Sequence, residues 1–273
     1  MDEGVAKLAD AGNRRQQGDS QGGDPLAAGP DGLTTSPPAA CTRRKRDGAA
    51  DRLAPHPPLN RIMTKYLTEF IGTMFLVLTI GLTVLGQVAM APLAIGCSLM
   101  IMVYMGGHIS GGHYNPAVSL AAMLRGKLER KELLPYWVSQ ILGAITASLL
   151  VYLILGQTFA PDPSPTASVL ASLLVEILFT FALALVVLNT ATHPATKGNS
   201  FYGLAIGFTI VVGAFAGGGV SGGAFNPAVG IGPTLVRGLI GGGSFANLWL
   251  YIVGPLAGGV LAAMVFKLQE EVK

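Results

Sequence analysis

From Tyr66 onward the chain is a succession of long apolar stretches separated by short polar breaks. Six of them, at about 66–87, 91–109, 132–156, 168–190, 201–220 and 246–267, reach the roughly 20 residues a helix needs to cross a hydrocarbon core. Two shorter apolar segments, 115–125 and 226–237, lie between the second and third and between the fifth and sixth of these. Each predicts a helix of about 11 residues rising roughly 16 Å, half a bilayer. They are too short to cross and too apolar to be ordinary loops. Residues 1–61 break the pattern. They are rich in Gly, Pro, Ala, Asp and Arg, without apolar periodicity, and cannot bury enough surface to fold. They read as a disordered cytoplasmic tail. Met63 opens MTKYLTEF, an ordinary start for the folded part, which makes the tail a candidate start-site artefact.

Charge sharpens this picture. The chain is 51% hydrophobic and 12% charged, against about 25% charged for an average soluble domain. Of the 33 charged side chains, 16 fall in residues 1–60, leaving 17 for the other 213 residues. Such a body cannot cover a globule in water. A soluble enzyme is excluded, and so are most nucleic-acid binders despite the net charge of +3. Cys41 and Cys97 make neither a metal site nor a disulfide framework, no signal peptide is recognisable, and no cofactor is implied. With six spans, Arg61, Lys65, Arg125, Lys127, Arg130, Lys131, Lys197, Lys267 and Lys273 share one side with the tail. Arg237 alone faces the other. By the positive-inside rule both termini, including the end 269–273, are cytoplasmic. The run Arg43-Arg44-Lys45-Arg46 fits a lipid-headgroup or partner patch, or simply a stop to translocation.

The two halves repeat. Ser110-Gly111-Gly112-His113-Tyr114-Asn115-Pro116-Ala117-Val118 matches Ser221-Gly222-Gly223-Ala224-Phe225-Asn226-Pro227-Ala228-Val229 at seven of nine positions. The two Asn are 111 residues apart, and the intramembrane carboxylates Glu69 and Glu176 are 107 apart. Three spans per half is an odd number, so the second copy is inverted. The prediction is an all-α integral membrane protein: six transmembrane helices and two half-helices in two inverted repeats. The membrane-embedded domain is 62–268, with repeat 1 at about 62–158 and repeat 2 at about 166–268. Inverted repeats with interrupted helices place a pathway at the midplane.

Asn is a favoured helix N-cap and Pro a favoured first helical residue. Asn115-Pro116 and Asn226-Pro227 therefore read as two helix starts, and the small Ala117 and Ala228 let them abut. Half-helices entering from opposite faces bring their positive ends together near the bilayer centre. Irregular backbone at that depth must be buried in protein or line a water-filled cavity. The runs Gly106-Gly107, Gly111-Gly112, Gly217–Gly219 and Gly222-Gly223 are candidates to supply it. Two amide donors facing one lumen would interrupt a proton wire, and two positive dipole ends would repel cations.

These boxes resemble those of the major intrinsic proteins, the aquaporin and aquaglyceroporin family, whose selectivity rests on pore diameter, lining groups and half-helix dipoles. The resemblance also rests on Gly107-His108-Ile109-Ser110, the TEF and VEI carboxylates, Gln140-Ile141-Leu142-Gly143-Ala144 and Val253-Gly254-Pro255-Leu256. It implies a passive channel for water and small uncharged solutes such as glycerol, urea, ammonia or hydrogen peroxide. It also implies a homotetramer in a cell (inner) membrane, with proton exclusion at the paired Asn. The alternatives are an ion-coupled secondary transporter of inverted-repeat type and a closed membrane structural protein. Glu69 and Glu176 would hold the glycine loops, helped by His113 and His108. The four filter positions of the family fall at Ile95, Ala214, Gly223 and Val229. Val229 stands where Arg is usual, as in some tonoplast intrinsic proteins. Arg supplies a rigid fork of donors and a fixed charge and Val supplies neither, so a wider, less polar filter is expected.

Overall fold

The computed structural model describes residues 59–271. Residues 1–58, with the basic run Arg43 to Arg46, and the last two residues lie outside the described part. Helix α1 spans Leu59–Leu85, beginning three residues ahead of the boundary expected from the sequence. There follow α2 (Ala91–Ser110), the short α3 (Pro116–Leu124) and α4 (Arg130–Leu155). The second half repeats the order with α5 (Val169–Val187), α6 (Tyr202–Ser221), α7 (Pro227–Ile240) and α8 (Leu250–Glu271). Between α5 and α6 the chain widens into a π-helical turn, Leu188–Thr192, and then a single 3-10 turn, Pro194–Thr196. The fourth apolar stretch is thus one span with a wound-out end. Among the described residues, six helices are long and apolar enough to cross a membrane. Large side chains such as Leu153, Leu178, Phe208 and Met264 are exposed on their outer surfaces, where lipid is the natural neighbour.

The packing follows the repeat. Helix α1 lies on α4 as α5 lies on α8. Each half-helix packs against the last helix of the other repeat, α3 on α8 and α7 on α4, so neither half can form its core alone. The two central helices, α2 and α6, cross at Gly96 and Gly207. A Cβ on either glycine would lie 2.5 Å from the carbonyl oxygen of the other. Only glycine allows backbones to approach so closely, the device by which helices associate in lipid. Gly258 serves the same end, its Cα facing the Ile177 carbonyl. The core between these layers is built from Leu76, Val77, Leu99, Val118, Leu183 and their neighbours, all buried.

Candidate functional site

Helix α2 ends at Gly111 (φ +96°) and α6 at Gly222 (φ +87°), left-handed conformations that turn the chain back on itself. Four residues later each strand of loop enters a half-helix. Asn115 and Asn226 are extended N-caps. Their Oδ1 atoms accept from the backbone N–H of Ala117 at 2.8 Å and of Ala228 at 2.9 Å. Pro116 and Pro227 follow as first helical residues. The amides also reach across the repeat. Asn115 Nδ2 donates to the Phe225 carbonyl and Asn226 Nδ2 to the Tyr114 carbonyl, both at 2.9 Å. Each loop thereby orients the amide of the other. One N–H of each Asn is used in this exchange, and both residues line a common cavity into which the second N–H can donate.

The loops are held from behind by the two carboxylates. Glu69 accepts from Ser110 Oγ (2.7 Å), the N–H groups of His113 (3.0 Å) and Tyr114 (2.6 Å), and Gln140 Nε2 (2.8 Å). Glu176 accepts from Ser221 Oγ (2.8 Å) and the N–H groups of Ala224 (3.0 Å) and Phe225 (2.7 Å). Both glutamates are fully buried. Tyr114 and Phe225 each have φ +49°, a conformation that costs a bulky residue energy unless its surroundings fix it. Their N–H groups are among those the carboxylates hold. Two supports were not foreseen from the sequence. The Tyr136 hydroxyl donates to the Ser110 carbonyl and the Tyr251 hydroxyl to the Ser221 carbonyl, both at 2.6 Å. They brace the C-terminal ends of α2 and α6, and they occupy equivalent places 115 residues apart.

The histidines separate. His113 lies within 3.2 Å of Ser119 Oγ through Nδ1, tying its loop to α3. His108 is exposed near the end of α2, and none of the loop-holding bonds comes from it. The glycine runs separate too. Gly111-Gly112 and Gly222-Gly223 have positive φ and form the irregular backbone. Gly106-Gly107 and Gly217–Gly219 are helical instead. Gly106 gives room rather than extension: a Cβ there would sit 2.1 Å from the Tyr114 hydroxyl.

The cavity has a volume of about 420 Å³. Its wall contains both Asn and all four positions expected of a filter, Ile95, Ala214, Gly223 and Val229. Most of the rest is aliphatic, including Leu76, Ile80 and Leu99. A second cavity, about 830 Å³, opens toward the face carrying Lys65, Lys127 and Lys197. His113, Val187 and Ile206 line both. Among the described residues no cluster of three His, Cys, Asp or Glu could hold a metal ion. The first cavity has one wall that the sequence did not announce. Ala160, Pro161 and Asp162, from the connection between α4 and α5, line it as well.

Comparison with known proteins agrees with this arrangement. The family model for the major intrinsic protein family matches residues 59–266. The chain is 38% identical over 214 residues to Aquaporin NIP1-1 of Zea mays, covering 75% of this chain and 74% of that one. It is 37% identical over 215 residues to a glycerol uptake facilitator protein-like protein of Lactiplantibacillus plantarum, covering 74% of this chain and 95% of the relative. The crystal structure of the aquaglyceroporin from Plasmodium falciparum superposes with a TM-score of 0.68 at 24% identity, over 75% of this chain and 95% of its own. The chain therefore belongs to the major intrinsic protein family. It is a multi-pass integral membrane protein and a passive channel for water and small solutes, not an enzyme.

Proposed function

We propose that the permeation path runs through the two joined cavities and that Asn115, Pro116, Ala117, Asn226, Pro227 and Ala228 form its midplane, where protons are excluded. The crossed amide-to-carbonyl bonds carry this reading. They leave each Asn one N–H to offer the lumen, and its Oδ1 is already occupied by the half-helix N-terminus. A water bound there accepts from both amides and cannot relay a proton onward. The N-termini of α3 and α7 add two partial positive charges at the same place. Glu69, Glu176 and His113 hold the loops that make this geometry.

Ile95, Ala214, Gly223 and Val229 form the selectivity filter. None of the four carries a hydrogen-bonding side chain, so the filter discriminates by width more than by charge. It admits neutral solutes larger than water, with glycerol and urea as the test cases and ammonia and hydrogen peroxide in the same class. The basic residues Lys65, Lys127 and Lys197 gather around the second cavity, which supports a cytoplasmic placement of that face and of both termini in a cell (inner) membrane. A homotetramer with one pore per subunit is the assembly. Stopped-flow light scattering of proteoliposomes tests the reading. Water and glycerol flux should be linear in the gradient and indifferent to ions, with no proton leak above that of empty vesicles. Saturating, ion-driven uptake would instead make the protein a coupled transporter, and absence of any flux a structural one.

A further inference from the structure

The two repeats close their glycine turns differently. In the first, a Cβ on Gly111 would lie 2.9 Å from His113 Nε2, so the turn is covered by the histidine of its own loop. In the second, Ala224 stands where His113 would be and leaves that space open. The space is filled from elsewhere: a Cβ on Gly222 would lie 2.7 Å from both the backbone nitrogen and the carbonyl oxygen of Asp162. The α4–α5 connection thus folds over the cavity mouth beside Gly223, and residues 160–162 share the cavity wall with the four filter positions. Three attachments hold it there. Phe159 is buried in the core, the Ser164 N–H donates to the Val220 carbonyl at 3.0 Å, and Arg237 Nη1 donates to Asp162 Oδ2. Among the described residues, Asp162 is the only acidic one that lines this cavity. Arg237 lies in the last turn of α7, the half-helix whose first turn carries Val229.

We propose that segment 160–162 is a fifth wall of the filter and that the Asp162–Arg237 pair is the strut that sets the largest polyol the mouth admits. The inference rests on the pore reading above. It predicts that a filter of one Ile, one Ala, one Gly and one Val keeps a size limit without a filter Arg. Asp162 lines the cavity and Arg237 does not. Arg237 is a positioning residue acting through Asp162. The two side chains are 47% and 21% exposed, so the strut is modest and open to screening by salt.

The test uses the full chain in proteoliposomes, with water, glycerol and erythritol fluxes read on the same preparation. Asp162→Asn and Arg237→Gln should each raise the erythritol-to-water ratio by roughly two- to fivefold, the range within which a half-exposed ion pair can bias an equilibrium. The double charge reversal, Asp162→Arg with Arg237→Asp, should bring the ratio back toward that of the parent. Taking a ratio removes the effect of folded yield. A second arm needs no variant: raising impermeant salt on both sides to about 1 M, where the Debye length falls to about 3 Å, should raise the ratio in the parent and not in Arg237→Gln. An unchanged ratio in both single variants, a reversal that restores nothing, or a parent ratio flat with salt would each overturn the strut. A parent that passes water with a flat ratio refutes the strut alone. A parent that passes nothing refutes the pore reading with it.

Discussion

Replacing Glu69 or Glu176 by Gln keeps the volume and shape of the side chain and changes only what its end can accept. Each glutamate oxygen accepts from at least one backbone N–H. On Glu69 these are His113 on one oxygen and Tyr114 on the other; on Glu176 they are Ala224 and Phe225. A serine hydroxyl can turn to accept from a new NH2 group, but a peptide N–H cannot. Whichever way the Gln amide is placed, one buried N–H must face another. The loss is one charge-assisted hydrogen bond with its backbone donor left unsatisfied, about 2–4 kcal/mol. For a domain of this size that corresponds to a fall in melting temperature of about 5–15 °C.

The assay is thermal unfolding of purified protein in detergent, beside water flux per correctly folded protein in vesicles. Both variants should unfold earlier and yield less folded protein. Flux through the folded fraction should fall as well, because Tyr114 and Phe225, at φ +49°, also supply the carbonyls that orient Asn226 and Asn115. The pH dependence of flux should be no different from the parent. Parental melting temperature and flux in both variants would refute the loop-holding argument. Well-folded variants that lose a pH-dependent component of transport would make the carboxylates proton carriers instead.

Three further outcomes are expected. Asn115→Asp and Asn226→Asp each replace a midplane donor by an anion beside the half-helix N-termini, so neutral-solute flux should fall and cation leak should rise; unchanged ion exclusion in both would count against the midplane. Tyr136→Phe and Tyr251→Phe each delete one buried bond, to Ser110 and Ser221 respectively, and should cost about 1 kcal/mol apiece in the same unfolding assay, with similar losses because the two braces are equivalent. Val229→Arg should suppress glycerol while retaining water, and Ala214→Phe should narrow the same cavity without adding charge, separating the two contributions by paired water and glycerol fluxes. Gly223→Phe is a poor steric probe, because Gly223 has φ +65° and a Cβ there would lie 3.1 Å from the Gly218 Cα.

What the sequence made legible was whatever repeats in register. The two Asn-Pro-Ala boxes, the two carboxylates and the inverted three-helix halves all follow from residues that recur at nearly constant spacing. The spacing is not quite constant, and that is where reading stopped. Glutamates recur after 107 residues, Asn after 111 and the bracing tyrosines after 115, so a comparison anchored on Asn passes over Tyr136 and Tyr251. Part of the drift lies in the half-helices themselves, nine residues in α3 and 14 in α7. The crossed bonds between Asn115 and Phe225 and between Asn226 and Tyr114 had no linear signal at all, since they exist only once the two loops meet. The same holds for residues 160–162. Read along the chain, GQTFAPDPSPTAS is a polar connection with no Arg to replace the one missing from the filter. Folded, its aspartate is paired with an arginine from the far end of the second half-helix, and its backbone fills the space that Ala224 vacates. On the proposal above, the width of this mouth is a property of five walls, and a comparison confined to four positions would describe a wider opening than the chain has built.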